Sequence, residues 1–300
     1  MKTLFITAGD ITVASSRMRA YWVAEHLQGA DVVPFSKLSQ TKLSHYDAAV
    51  WQKVLDPDIM RATPHVRHYY DACDPSWWWE PEFIKTAVEM VTAVVCSSSG
   101  LASDFVQWLS NASLNRITSI EVRPIPDRLN LAHFSLQRQH TAVSPVRLIW
   151  FGHAANRVAL IGALANLERL AANGHKIELT IMDNAPHDPV KWTNYFPIYH
   201  VPWSLEKENE ILASHDIAIL PPYPGSWGWV KSNNKQLTAA ACGLVATYDI
   251  GYNDLAHYVE NAASREAFAR DGIKKIKADY DVRLSAQEWQ VLLSEGSEWL

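Results

Sequence analysis

Two lysines enclose a short polar run in the second half of the chain, Lys231-Ser-Asn-Asn-Lys235. An apolar run, Ile217–Leu220, precedes it, and an alanine-rich segment that ends at Gly243 follows it. Short β-like runs separated by a helix that stops at a glycine are typical of a β/α/β unit with a parallel sheet. The pattern predicts that the polar run lies at a helix N-terminus on the carboxyl edge of the preceding strand, where open α/β sheets bind ligands.

The chemistry of this run fits a phosphate group. Ammonium groups and the backbone N–H groups of a helix start both attract an anion, and small hydroxyl and amide side chains add hydrogen bonds. The same run could instead be a solvated helix cap that binds no ligand. The candidate phosphate-binding residues are Lys231, Ser232, Asn234 and Lys235.

A second candidate site follows the predicted strand Val66–Tyr70, in a loop that combines two carboxylates with three tryptophans. A carboxylate shielded by indole rings has a raised pKa, which is appropriate for a general base, and the rings could stack on a sugar or a base. The alternative is that Asp74 caps a turn and the indoles fill a core. The candidates are Asp71 and Asp74 for catalysis, and Trp77 and Trp78 for binding an acceptor.

Two further loops follow the first predicted strand of each half. Lys2–Thr7 leads to a loop and then a helix, whose arginines either reach an anion at the sheet edge or face solvent. Val146–Phe151 leads to a loop that opens with a glycine, which lets backbone approach a ligand. Neither loop carries GxGxxG, so the dinucleotide fingerprint is excluded. The candidates are Asp10, Arg17 and Arg19 in the first half, and Gly152, Asn156 and Arg157 in the second.

Possible metal ligands are rejected on geometry. Asp56-Pro-Asp58 has the DxD form of some metal sites, but Asp followed by Pro is typical of a helix start. His65 and His68 would lie on opposite faces of a strand. We therefore expect neither a metal nor another bound cofactor.

The bulk composition indicates an ordinary globular protein with two α/β domains. The 300 residues are 48% hydrophobic and 20% charged, and the net charge of −5 argues against nonspecific binding to nucleic acid or anionic membranes. β and α patterns alternate up to an irregular stretch, 126–145, and then restart. The predicted division is an N-terminal domain over 1–135, a C-terminal domain over 145–285, and a final helix over 286–300 that packs on the body.

Three features bear on location. The cysteines are three, Cys73, Cys96 and Cys242, far apart and odd in number, which favours a reducing compartment. The opening run enters a strand pattern too early for a signal peptide, and no apolar run approaches the ~20 residues of a membrane span. We expect a cytoplasmic protein, at most peripheral at a membrane.

With these segments assembled, the chain resembles the GT-B glycosyltransferases, especially the glycogen-synthase-like group of nucleotide-sugar enzymes. The similar segments are SSRMRA, VVCSSSGLASDF, RPIPDRLNLAHF, RLIWFG, DIAILPP and AAACGLVAT, and their order and spacing match the family. The resemblance implies an α/β fold of two Rossmann-like domains facing a central cleft, with the acceptor on the N-terminal domain and the donor on the C-terminal one. It departs from the family where many members carry two glutamates, since Val230 and Thr238 stand in those positions.

The implied activity is metal-independent transfer of a sugar from a nucleotide-sugar, with UDP favoured, to an acceptor hydroxyl. The diphosphate would lie on the Gly152 loop and the Lys231–Lys235 run, and Trp203 would lie near the nucleobase unless it packs in the core. The expected acceptor is a glycan or lipid-linked saccharide. Alternatives are a hydroxylated base in phage DNA, a sugar-nucleotide epimerase of the same fold, and a nucleotide binder without catalysis.

Overall fold

A computed structural model of the protein describes residues 1–112, 120–185, 192–223, 225–247 and 251–295. The chain forms two compact units. The first unit comprises Met1–Asn130, Gly225–Ser232 and Asp281–Leu300, and the second comprises Leu131–Pro224 and Asn233–Tyr280. Two late segments of the chain therefore fold with the first unit rather than with their neighbours in sequence.

The first unit contains a parallel sheet of six strands in the order β2-β1-β3-β4-β5-β6. Their side chains are buried over most of the sheet because helices cover both faces, which explains the continuous apolar runs. The strand order reverses between β1 and β3, so the carboxyl ends of these two strands form a ligand-binding edge. The strands are β1 Thr3–Thr7, β2 Ala30–Pro34, β3 Ala48–Gln52, β4 Arg67–Ala72, β5 Ala93–Cys96 and β6 Glu121–Pro124.

The helical segments of the first unit include one departure from the predicted pattern. The helix expected after the loop that follows β1 begins at Ala14, ends at Ala24 and contains a π-helical turn over Arg17–Tyr21, which the sequence did not indicate. Arg17 and Arg19 are both buried, so the alternative in which they face solvent is wrong. The α-helical segments are Ala14–Ser16, Trp22–Ala24, Gln40–Leu43, Pro57–Ala62, Pro81–Val88, Ser99–Asn111, Trp227–Val230 and Val282–Glu295, with 3₁₀ turns at Phe35–Lys37 and Ser76–Trp78.

A predicted helix start in the first unit is confirmed. Asp56 caps the helix Pro57–Ala62, and its carboxylate accepts hydrogen bonds from the Asp58 and Ile59 amides at 3.0 Å. The last described helix packs on the sheet, although it begins at Val282 rather than at Ala286. Its Trp289 lies edge-on to Phe5, with ring centroids 5.7 Å apart.

The second unit contains a parallel sheet of five strands in the order β11-β10-β7-β8-β9, with the reversal between β7 and β10. The strands are β7 Val146–Phe151, β8 Ile177–Asp183, β9 Ile198–Pro202, β10 Ile217–Ile219 and β11 Val245–Thr247. The helices are Ala154–Leu160, a 3₁₀ segment, followed by Ile161–Ala172, Glu208–Ala213, Asn234–Ala241, Tyr252–Glu260 and Ala262–Asp279. Each unit is thus a β/α domain of the Rossmann type, as expected. Among the described residues, no helix combines the length and the apolar character needed to cross a bilayer.

A buried carboxylate, Asp216, ties the start of β10 to two neighbouring segments. Its oxygens accept hydrogen bonds from the Arg138 Nε and from the Arg147 amide, each at 2.9 Å. Burial alone would raise the pKa of Asp216, but hydrogen bonds from His140 and Arg147 and the charge of Arg138 lower it to about 2. Asp216 therefore stabilises the fold only while it is ionised.

This pKa predicts an acid-dependent loss of stability. A folded pKa of about 2 lies below the ordinary value of 3.8, so the stabilisation is fully present above pH ~4 and disappears as the pH falls through ~2. We expect Asp216→Asn to lose roughly 1–2 kcal/mol of unfolding free energy at pH 5 relative to wild type, and to show a smaller deficit near pH 2. Urea denaturation of both proteins across this range measures the difference, and a deficit that is constant with pH would contradict the assignment.

Candidate functional site

An ion-pair network lies at the carboxyl edge of the first sheet. The Arg19 guanidinium, which is 3% exposed, donates from Nε to both oxygens of Asp71 at 3.0 and 2.9 Å. Its NH1 group donates to Asp127 Oδ1 at 2.9 Å, and the other oxygen of Asp127 accepts from the Ser232 hydroxyl at 2.6 Å. Burial raises the pKa of Asp71, and the charge of Arg19 opposes that increase. Asp71 and Arg19 therefore hold each other in place, and neither presents a free polar group at the surface.

Asp74 lies beside this network and is bound by two lysines. Lys53 Nζ lies 2.5 Å from Asp74 Oδ2, and Lys231 Nζ donates to Asp74 Oδ1. Burial alone would raise the pKa of Asp74, but the charges of Lys231 and Lys53 lower it below its usual value. The expectation of a raised pKa from the indoles is thus wrong for Asp74, because two ammonium groups outweigh the apolar surroundings.

Lys53 has an unusual backbone that aims it at this carboxylate. Its φ of +66° lies in the left-handed region, which costs a non-glycine residue roughly 1–3 kcal/mol. The conformation is held by a hydrogen bond from the Lys53 amide to the Asp71 carbonyl at 3.0 Å. Lys53 follows β3 directly, at the point where the strand order reverses. Strained residues in such places are a frequent sign of a functional site.

The remaining N-terminal candidates, Arg17 and Asp10, form hydrogen bonds within the loop after β1. The Arg17 guanidinium is 1% exposed and donates to the Ile11 and Thr12 carbonyls at 3.1 and 3.2 Å. Asp10 is exposed and accepts hydrogen bonds from the Thr12 amide and hydroxyl, which lower its pKa. Arg17 thus does not face solvent, because it donates hydrogen bonds that hold this loop together.

The tryptophans after β4 divide between the core and the surface. Trp77 is 1% exposed and packs against Phe105 with ring centroids 4.8 Å apart. Trp78 is 38% exposed, and its ring lies 6.3 Å from that of Trp227. The alternative that the indoles fill a core therefore holds for Trp77, whereas the exposed ring of Trp78 is accessible to a ligand.

The Lys231–Lys235 run is divided between the two units. Lys231 and Ser232 belong to the first unit, where they contact Asp74 and Asp127. The helix that follows begins only at Asn234, so the expectation that Lys231 lies at its N-terminus is wrong. The short helix Trp227–Val230, which directly precedes Lys231, had not been predicted.

The second unit brings Lys235 and Gly152 together at its own reversal point. A Cβ atom on Gly152 would lie 2.7 Å from Lys235 Nζ, so the ammonium group fills the space that a side chain at this position would occupy. The ammonium group lies 5.0 Å from the centre of the buried Trp150 ring and 3.2 Å from the Tyr223 hydroxyl. Lys235 stands in the first turn of the helix Asn234–Ala241, which Asn233 does not cap with its side chain. Gly152 and the helix follow β7 and β10, so this cationic group occupies the edge where the strand order reverses.

The other donor-side candidates have structural partners. Arg157 is 6% exposed, and its Nε lies 2.5 Å from Asp183 Oδ2, so it braces the loop after β7 against β8. Asn156 lies in the same 3₁₀ segment and is partly exposed. Trp203 is half-buried and donates from Nε1 to Glu208 at 2.8 Å. Asn234 is the first residue of its helix.

Several site residues were not identified from the sequence. Asp127 lies in the irregular stretch assigned to the linker, and no local pattern distinguishes it. Lys53 could have been found, because it ends a strand pattern, and open α/β sheets bind ligands at the carboxyl ends of their strands. Tyr223 and Trp227 follow the apolar run Ile217–Leu220 in a stretch rich in aromatic residues. The sequence alone did not indicate which side chains they contact.

Comparison with known proteins rests on structure alone. No protein-family model matches the sequence, and no curated protein matches it. Solved structures do match. An α-glucosyltransferase in complex with UDP-glucose and DNA containing an abasic site superposes with a TM-score of 0.72 at 9% identity, over 97% of this chain and 98% of the other.

Two more solved structures cover almost the whole chain. The Anabaena protein Alr3699/HepE, in complex with UDP and glucose, has a TM-score of 0.64 at 12% identity, over 98% of this chain and 100% of the other. The DNA-modifying enzyme β-glucosyltransferase has a TM-score of 0.58 at 14% identity, over 98% and 99%. The chain therefore has the GT-B glycosyltransferase fold of two Rossmann-like domains.

Proposed function

We propose that this protein is a glycosyltransferase that moves a sugar from a nucleotide-sugar, a UDP-sugar by preference, to an acceptor hydroxyl. The observation that carries the proposal is the position of Lys235, whose ammonium group lies against Gly152 where the second sheet reverses its strand order. Relatives of the same fold hold UDP or UDP-glucose. Structural similarity at such low sequence identity supports the fold alone. The support for a nucleotide-sugar donor comes from the cationic group at the edge of the second sheet.

The donor diphosphate would be held by Lys235 and by the backbone at the start of the helix Asn234–Ala241. When the glycosidic bond to the diphosphate breaks, negative charge grows on the leaving phosphate. A lysine fixed beside a glycine and two aromatic rings can stabilise that charge without rearranging. Because an ammonium group supplies the positive charge, we propose that the transfer needs no metal ion.

The acceptor would be bound by the first unit. Asp74 is ionised and lies at the edge of the first sheet, so we retain it as the candidate base or hydroxyl-orienting group. Asp71 is wholly buried against Arg19, and we propose that it acts indirectly by fixing the network next to Asp74. We favour a saccharide acceptor, bound free or linked to a lipid.

A second candidate acceptor is a base in DNA, because two of the similar structures bind or modify DNA. DNA binding depends mainly on lysines and arginines that neutralise phosphates. At the edge of the first sheet, however, Arg19, Lys53 and Lys231 already pair with carboxylates. This pairing favours the saccharide over the polyanion.

Nucleotide-dependent thermal stabilisation tests the donor proposal. We expect UDP to stabilise the protein by about 2.7 kcal/mol at 100 times its Kd, since a ligand that binds only the folded state shifts the unfolding equilibrium by mass action. Melting curves with UDP, GDP, ADP, CMP, dTDP and several UDP-sugars would measure the shift. Stabilisation by another nucleotide alone would change the donor class, and no stabilisation by any at millimolar concentration would refute the proposal.

UDP-sugar turnover then separates the catalytic alternatives. A transferase releases UDP faster when an acceptor is present, whereas an epimerase converts the UDP-sugar without any acceptor. A nucleotide binder without catalysis would be stabilised by UDP yet leave every UDP-sugar intact. Chromatography of the nucleotide products distinguishes the three outcomes in a single assay.

A further inference from the structure

Three tryptophans of the first unit form a partly exposed cluster, which we call the aromatic platform: Trp78, Trp79 and Trp227. Trp78 is 38% exposed and Trp79 is 51% exposed. Trp79 stacks on Trp227 with ring centroids 5.4 Å apart and an interplanar angle of 27°. Trp229, two residues on in the same short helix, is 85% exposed. Clustered indole rings with this much exposed surface mark binding sites.

The platform is held in place before any ligand binds. The Ser98 hydroxyl donates to the Val230 carbonyl at 2.9 Å, and the Val230 side chain is 5% exposed within the first core. A Cβ atom on Gly100 would lie 2.6 Å from the Trp229 carbonyl oxygen, so the absence of a side chain there lets the helix Trp227–Val230 approach closely. Rigid aromatic residues bind ligands at a low cost in conformational entropy.

Charged groups border the rings on two sides. Trp77 and Trp78 donate from their Nε1 atoms to Asp104 Oδ2, at 2.7 and 2.8 Å. No hydrogen bond to Asp104 Oδ1 occurs within the described ranges, so this oxygen can accept one from a ligand. On the other side, Lys231 Nζ lies 4.6 Å from the centre of the Trp227 ring while it pairs with Asp74. The candidate hydroxyl-binding carboxylate is therefore next to the platform.

We infer that the aromatic platform binds the saccharide acceptor, stacking against the apolar face of one of its sugar rings while Asp104 accepts a hydrogen bond from a ring hydroxyl. The inference rests on the proposed function, because it assigns the acceptor of that reaction. A sugar ring presents C–H groups on its faces and hydroxyls on its rim, which matches indole faces bordered by a carboxylate.

The charged groups around the aromatic platform disfavour a nucleic acid as its ligand. A nucleic acid would bring phosphates toward Asp104 and toward the exposed Glu80, which directly follows Trp79. The platform's cation, Lys231, is already paired with Asp74, so it offers a phosphate little net attraction. A neutral sugar has no such repulsion to overcome.

The test compares Trp79→Ala with wild type on an array of immobilised oligosaccharides and on a 13-mer DNA duplex. We expect wild type to bind a saccharide, and the variant to bind the same saccharide about threefold to tenfold more weakly, the effect of losing one stacked aromatic ring. Trp79→Phe keeps a ring and should recover part of the affinity. Tyr195→Ala removes an aromatic side chain that is 62% exposed in the second unit, and should bind as wild type does.

UDP-induced thermal stabilisation of the same samples separates this inference from the proposed function. We expect the Trp79→Ala variant to keep the wild-type response to UDP. No response to UDP in wild type would refute the proposed donor, whatever binds the array. A normal response together with no saccharide bound, equal binding by Trp79→Ala, or binding only of the duplex would overturn the aromatic platform as a saccharide site.

Discussion

Replacing Lys235 with alanine is expected to lower turnover of a UDP-sugar by roughly 30-fold or more, equivalent to about 2 kcal/mol for a lost charge-assisted contact. The reason is the location of the ammonium group beside Gly152 and over the Trp150 ring, at the edge where the second sheet reverses its strand order. Steady-state release of UDP at several donor concentrations measures the effect. If Lys235 stabilises the leaving phosphate, kcat falls as well as the apparent donor affinity.

Two comparisons make this result interpretable. Lys275→Ala removes an exposed lysine from the helix Ala262–Asp279 of the same unit, and should leave donor turnover unchanged. Lys235→Arg keeps the charge but places a larger group against Gly152, so only partial activity is expected. Unchanged donor binding and turnover in a folded Lys235→Ala protein would remove Lys235 from the site.

The largest effect on stability is expected from Arg19→Met. This substitution leaves the buried carboxylates of Asp71 and Asp127 without their shared cation. Removing one partner of a buried ion pair costs about 3–5 kcal/mol, because an uncompensated charge remains in a poorly solvated site. Urea denaturation at neutral pH measures the loss as a decrease in the unfolding free energy.

The matched control is a surface pair of the same type. Arg61 and Asp58 are 2.6 Å apart with side chains 58% and 91% exposed, so Arg61→Met should change stability by less than about 1 kcal/mol. Adding Asp71→Asn to Arg19→Met removes one of the two unpaired carboxylate charges. The double variant should therefore recover part of the lost unfolding free energy. Equal effects of Arg19→Met and Arg61→Met would show that burial does not strengthen the Arg19 network.

Much of the fold was predictable because its strands are short apolar runs between glycines and polar loops. Val146–Phe151 was predicted with the bounds that the structure shows, and Lys2–Thr7 differs from the observed strand Thr3–Thr7 by one residue. The helix Ala262–Asp279 was not predicted. It buries only Arg265, Ala269 and Ile276, so its apolar periodicity is too weak to identify it from sequence.

The site was predictable only where a local rule applied. The Gly152 loop and Lys235 follow strands, and their meeting at the sheet edge follows from the β/α alternation. The pairing of Lys231 with Asp74 joins positions far apart in sequence, and no spacing rule connects them. Long-range ion pairs of this kind depend on the tertiary fold, which a single sequence shows only through its resemblance to known families.

The return of Gly225–Ser232 and of the last helix to the first unit affects how the protein can be made and divided. A fragment that ends at Asn130 would lack Val230 from its core and Trp289 from the face of its sheet. Neither unit is therefore encoded by one continuous segment of the gene. A single crossover between two genes could not exchange one whole unit. During synthesis, the unit that begins first is completed last, because it waits for the helix Val282–Glu295 to leave the ribosome.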